Sequence, residues 1–293
     1  MGDDEIHLQA KMTTPNFSYG SYVVIRSLAL FALAFSIIPF LAASFGPWAA
    51  LLALPFIGLR AYKLTIIMHD CAHGTLFAEP GINRNVGVFF GLLSGINFDA
   101  YGRLHFIHHT HFGENGDPRG RDYRSFWTLS PRARLWHLLR PLLGCNLVHY
   151  RNVMRVVETL PVSRQGIFFA AGFAIQGVLA TIATLGWQYP FLALIYPVSA
   201  ATVGLFFSQL RVIAEHLPPQ GAEDAPFVCS HEPNWIDAAL LYDLNFNYHH
   251  EHHKYPEVPS VCLPALSLEI SKQNFSQKPA YCMVHTLAQS VIK

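Results

Sequence analysis

Charged side chains are scarce in this 293-residue chain: Asp, Glu, Lys and Arg make up 13% of it, against 52% hydrophobic residues. A soluble domain ordinarily carries about 25% charge, so the shortage points to a bilayer rather than to water. Cysteine usage excludes two further classes. Cys71, Cys145, Cys229, Cys262 and Cys282 lie far apart and form no CxxC pair. Such a pattern supplies neither a disulfide framework nor a thiolate metal site, and it suits a reducing compartment. The N-terminus, MGDDEIHLQAKM, is acidic and polar, unlike the basic start of a secretory leader. It opens on Met1-Gly2, but Ile6 stands where a myristoylation signal needs Ser or Thr. Low-complexity tracts, internal repeats and a second domain are not evident, so a single domain over 1–293 is expected. A fused haem-bearing electron carrier would need its own soluble length and haem ligands, and none is expected in this chain.

Long apolar runs, by contrast, are plentiful. Spanning a bilayer takes about 20 apolar residues, and four segments qualify, at about 27–44, 48–68, 166–185 and 191–210. The first pair is joined at Phe45-Gly46-Pro47, the second through the uncharged Gly186-Trp187-Gln188-Tyr189-Pro190. Arg60 and Lys63, near the far end of the second span, are expected to snorkel to an interface. A run at 86–96 is too short to cross; it reads either as an interfacial or re-entrant segment or as a buried helix outside the bilayer. The expected fold is therefore an all-α membrane protein of about four transmembrane helices. A helical cap built from 69–165 and 211–293 would complete it. Residues 103–164 hold ten arginines, while the turns at 45–47 and 186–190 hold no Lys or Arg. Because cationic loops stay inside, the Arg-rich loop, both termini and every histidine cluster are expected on the cytoplasmic side.

The 16 histidines carry the chemistry, because most of them are clustered. His69-Asp70-Cys71-Ala72-His73 follows the second span. Its i, i+4 spacing puts two imidazoles on one helix face, where they either chelate a metal or simply hydrogen-bond. His105-Phe106-Ile107-His108-His109 and His249-His250-Glu251-His252-His253 share an HxxHH pattern. In each, the first, fourth and fifth positions are expected to project three imidazoles together. His216, at the cytoplasmic end of the fourth span, is either an interfacial polar residue or a further ligand. By helical spacing His111 and His250 fall off the ligand face, and His7, His137, His149, His231 and His285 read as ordinary polar side chains. Asp70, Glu215 and Glu251 adjoin the clusters and would either orient imidazoles through the second ring nitrogen or remain solvated charges.

Eight or nine imidazoles exceed what one ion uses, so two metals are implied. Imidazole suits iron, copper, zinc and nickel. The Glu-x-x-His motif of soluble di-iron bundles does not occur here, and zinc hydrolysis would need fewer ligands and a carboxylate base. Dioxygen chemistry on a membrane-dissolved substrate better explains a His-rich redox pair beside a bilayer.

HDCAH, HFIHH and HHEHH resemble, in order and topology, the three histidine boxes of the integral-membrane fatty acid desaturase superfamily. The likeness extends to Asn247-Tyr248 before the third box, to Pro256-Glu257-Val258-Pro259 and Leu263-Pro264 after it, to 211–216, and to Asp117-Pro118. It covers roughly residues 20–270. The resemblance implies nine metal ligands: His69, His73, His105, His108, His109, His216, His249, His252 and His253. It further implies two non-haem irons, dioxygen, and electrons from a separate ferredoxin or reductase-linked carrier. Such an acidic partner would dock on the cytoplasmic arginines, which equally serve topology and lipid headgroups. Desaturation of a lipid acyl chain is the expected reaction. The alternatives are hydroxylation or ketolation of a carotenoid, sphingolipid or other apolar molecule within the same superfamily, and, from a different class, metal transport. Transporters place ionisable ligands inside their spans, whereas these lie just outside.

Overall fold

The structure is a computed structural model that describes residues 17–123, 126–145, 161–216 and 228–272. His7, His149 and His285 lie outside the described residues. Among the described residues every regular element is helical.

Four helices are long and apolar enough to cross a bilayer: Phe17–Phe45, Pro47–His73, Gln165–Gly186 and Pro190–Glu215. Each includes one of the four apolar runs, but the first begins ten residues earlier than expected and the second runs on through the first histidine cluster. Helix α1 (Phe17–Phe45) carries Pro39 in its interior, which a membrane helix tolerates when neighbours satisfy the freed carbonyl. The chain then reverses at Gly46, whose φ of 89° lies in the left-handed region, and Pro47 opens the next turn because its missing N–H would have no partner there. Helix α2 (Leu54–His73) packs along α1. The run at 86–96 turns out to be the core of helix α3 (Pro80–Ser94), which lies against α2 with Gly87, Phe90 and Gly91 buried. Helix α4 (Phe98–Thr110) starts where the Asn97 side chain accepts the Ala100 N–H at 2.9 Å. That cap fixes the second histidine cluster in the last turns of the helix.

Helix α5 (Pro131–Leu139) leads toward the third span, formed by α6 (Val162–Thr181) and a π-helical turn over Ile182–Gly186. The fourth span joins α7 (Ile195–Ser199) to α8 (Leu205–Glu215) through another π-helical turn at Ala200–Gly204. That turn crosses α2 closely, since a Cβ added at Gly58 would stand 2.4 Å from the Val203 Cβ. Three short helices complete the cap: α9 (Trp235–Leu240), α10 (His249–Lys254) and α11 (Leu263–Lys272).

Two apolar cores result. Ile38, Ile57, Ala61, Leu192 and Ile195 fill the space between spans. Ile66, Ile67, Met68, Phe90, Phe126, Ile213 and Phe246 form a floor beneath the histidines. Polar residues of the spans tie the cap down. The Tyr62 hydroxyl donates to the Leu241 carbonyl at 2.5 Å, and Arg26 pairs with Asp243 at 2.8 Å. Lys63 does not snorkel as expected. It is buried, and its ammonium donates to the Tyr242 carbonyl at 3.1 Å, because the end of α9 returns over α2 and presents carbonyls that need a donor.

Candidate metal centre

Each histidine cluster sits at a helix end that its own sequence terminates. Helix α2 stops directly after His73 because Gly74 adopts φ 72°, a conformation costly for any residue with a Cβ. The Thr75 N–H then closes the turn onto the Asp70 carbonyl at 3.0 Å. His69 and His73 thus occupy the last turn of the second span, and His216 immediately follows the fourth. Both spans deliver their imidazoles to the same end of the bundle, where α4 and α10 close over them.

The ligand atoms gather in two places. His69, His73, His105, His109 and His252 form one group; His108, His216 and His253 form a second, continued by Glu215 and His249. Within each such set the atoms lie within 4.8 Å of one another. All nine histidines named from the sequence are in these groups. The clusters do not project as units, however. His105 and His109 face the first group while His108 faces the second, and the third cluster divides likewise, His252 from His249 and His253. Successive helical residues are rotated by about 100°, so adjacent histidines such as His108 and His109 diverge and each HxxHH straddles both groups. The stacked rings of His109 and His253, 4.2 Å apart, join the two.

Hydrogen bonds on the far ring nitrogens show what these imidazoles are aimed at. His108 donates its Nδ1–H to Asp117 Oδ1 at 2.9 Å, and His216 donates its Nδ1–H to the Val212 carbonyl at 2.6 Å. Both Nε2 atoms therefore carry lone pairs, and they face each other at 3.2 Å. Two acceptors at that distance repel unless a cation lies between them. In the first group, His105 Nε2 stands 2.8 Å from His73 Nε2 and 3.0 Å from His109 Nε2. One proton cannot satisfy both contacts. Ligands at a metal–nitrogen distance of about 2.1 Å and at right angles stand roughly 3 Å apart, which matches this spacing. Buried ring nitrogens of His69, His105, His249, His252 and His253 have no hydrogen-bond partner, although buried polar atoms nearly always have one. The residues present thus fit a metal centre, and the donor set is a nitrogen-rich one.

Protonation agrees with this. Burial first, and then the neighbouring imidazoles, hold His105, His216, His249, His252 and His253 well below the ordinary histidine value. Burial and His73 bring His109 down to about 3. The rings are neutral at physiological pH, with lone pairs available to a metal. Burial acts to raise Asp117, but bonds from His108, the Tyr123 hydroxyl and the Arg119 N–H outweigh it and hold the carboxyl at about 2.

The three acidic residues singled out from the sequence have different surroundings. Asp70 lies 3.3 Å from His69 Nδ1 and accepts the Ser260 hydroxyl at 2.5 Å. Glu215 is buried 3.5 Å from His249 Nε2. Glu251 is neither a solvated charge nor, among the described residues, the partner of an imidazole. Its oxygens take the hydroxyls of Ser230 and, at 2.7 Å, Ser267, because Glu251 points away from the ligand positions of α10, toward α11. His231, read as an ordinary polar residue, is buried and donates to the Ala214 carbonyl at 3.2 Å. His111 pairs with Glu114 at an exposed position.

Several contributors have no signal in spacing. Asp117 entered the reading only through Asp117-Pro118, not as the partner of His108. Tyr123 stacks on His216 at 4.8 Å and donates to Asp117 at 2.5 Å. Phe246 stands edge-on to His69 at 4.4 Å, with the Arg211 guanidinium 4.4 Å from its ring. Phe112 faces His108, His216 and His253.

An all-α bundle with bilayer-length spans and a buried two-group imidazole cluster at one end defines a membrane metalloprotein. The model of the fatty acid desaturase family matches residues 45–284, and the chain belongs to that family. It is an oxidoreductase acting on lipids. Among curated proteins it is similar to the sphingolipid delta(4)-desaturase/C4-monooxygenase DES2 of Rattus norvegicus, with 26% identity over 249 residues. Human DES2 is 28% identical over 250 residues, and the human sphingolipid delta(4)-desaturase DES1 is 26% identical over 243. Each alignment covers 80% of this chain and 69% of the relative.

Proposed function

We propose that the protein is a di-iron oxidoreductase that uses dioxygen and externally supplied electrons to desaturate the acyl or long-chain-base portion of a lipid, with a sphingolipid as the favoured substrate class. The observation that carries this reading is the pair of imidazole groups whose lone pairs converge without protons to share, in a chain of this family. The ligands would be His69, His73, His105, His109 and His252 for one iron, and His108, His216, His249 and His253 for the other. When bound, the two irons supply the activation of dioxygen and the electron transfer that C–H oxidation requires.

The remaining contributions are the chain's own. Asp117 and the Val212 carbonyl hold His108 and His216 in the tautomer that presents Nε2, and Asp70 stands at the Nδ1 of His69. Phe112, Phe246, Tyr101 and Tyr123 pack against the imidazoles and exclude water from the reacting end of the bundle. The spans keep an apolar substrate in the bilayer directly below. Positive residues between the second and third clusters support a cytoplasmic location for this end and for both termini, where a soluble ferredoxin or reductase-linked carrier would deliver electrons.

Hydroxylation is a second reading, favoured by the relatives whose names include a C4-monooxygenase. Lipid profiling of a desaturase-deficient host expressing the wild-type chain or His108→Ala separates the two. A product lacking two hydrogens, lost in the variant, is the expected result. A product that gains oxygen supports hydroxylation, and identical profiles in both strains contradict the enzyme reading.

A further inference from the structure

We infer that Glu215 is itself a metal ligand, so that the second group is a mixed imidazole–carboxylate site while the first is built from imidazole alone. This rests on the two-metal reading above and adds to it a residue outside the nine histidines.

The carboxylates around the centre are occupied in different ways. Asp117 accepts from His108, Tyr123 and the Arg119 N–H. Asp70 accepts from Ser260 and faces His69 Nδ1. Glu251 takes two serine hydroxyls. Glu215 alone among these four has both oxygens buried with no hydrogen-bond donor. Its residue is 1% exposed, so bulk water does not serve it either. Arg211 Nε, the cation paired with it among the described residues, is 3.6 Å from Oε2, longer than a hydrogen bond. An ionised carboxylate left this way has only the Arg211 charge, at ion-pair distance, against its desolvation penalty, and no hydrogen bond.

The direction of the side chain supplies the missing partner. Glu215 Oε2 lies 3.5 Å from His249 Nε2, and a Glu215 oxygen lies within 4.8 Å of ligand atoms of both His216 and His249. Both ring nitrogens of His249 also lack a partner. A carboxylate and an imidazole edge, neither of them satisfied and both at ligand spacing, share a cation as their common solution. The sequence places the group there because Glu215 and His216 are adjacent at the end of α8. Asp70 and Asp117 work from behind their imidazoles, whereas Glu215 enters from the ligand side. A hard, anionic oxygen on one metal and none on the other makes the two sites unequal in charge and ligand field.

The test uses full-length wild-type, Glu215→Gln and Glu215→Asp proteins purified in detergent, stripped, and reloaded anaerobically with ferrous iron-57. Ligation predicts two distinct Mössbauer quadrupole doublets of equal area in the wild type. Glu215→Gln should alter only one of them and weaken the second iron by about 100-fold, at least the loss usual for an orienting residue. Unchanged doublets and unchanged affinity in Glu215→Gln, with two irons still bound, overturn the assignment while leaving the two-metal reading intact. A wild type that takes up no iron overturns both. Where Glu215→Gln aggregates, Glu215→Asp decides: two irons with one shifted doublet support ligation, and an unshifted spectrum contradicts it.

Discussion

Asp117 shows how much of the centre depends on groups that never touch a metal. Its two oxygens receive His108, Tyr123 and a backbone N–H, and the low carboxyl pKa of about 2 means that it stays anionic throughout the physiological range. Asp117→Asn keeps the shape but removes the charge and allows the amide to present its NH₂ to His108, favouring the wrong tautomer. Metal affinity should fall about 10- to 100-fold, measured by competition with a chelator, with secondary structure unchanged. Affinity equal to wild type would show that His108 needs no such support. Neither this partnership nor that of Asp70 with Ser260 could be read from the sequence: the first has no periodicity, and the second joins residues 190 positions apart. The histidines themselves were legible because metal chemistry restricts both residue type and spacing.

Individual elements are placed by their terminators as much as by their apolar faces. Helix α2 must stop within a turn of His69 for His73 to meet His105, and Gly74 makes that stop at φ 72°. Gly74→Ala should destabilise the protein by about 1–2 kcal/mol, the usual cost of a left-handed residue with a Cβ, and lower its thermal transition. An unchanged transition would mean that the helix end tolerates rearrangement. Helix existence and type were readable from hydropathy, but orientation within elements was less so. The division of each HxxHH between two groups follows from helical rotation once the partner helices are known, and those partners come from distant segments. The burial of Lys63 is hidden from the sequence for the same reason, since the carbonyls that accept from it belong to residues 238 and 242.

Across the whole molecule, the four spans and the cap set a single polarity, with the histidine groups at one end. The proposed function puts that end in the cytoplasm, on the strength of the arginines between the second and third clusters. Cys145 is an exposed free thiol on the same segment, and it makes the assignment measurable. In a Cys262→Ser, Cys282→Ser background, an impermeant maleimide should label Cys145 in inverted membrane vesicles and not in sealed right-side-out ones. The opposite pattern would reverse the orientation.

The proposed function requires two metal ions of the same kind, one in each imidazole group. It is tested most directly by the metal content of the purified, full-length protein, determined by mass spectrometry against quantitative amino-acid analysis. Two irons per chain in the wild type, with His216→Ala retaining one, is the result expected from the division of ligands. One ion or none in the wild type, or two ions retained in His216→Ala with undiminished affinity, would contradict it.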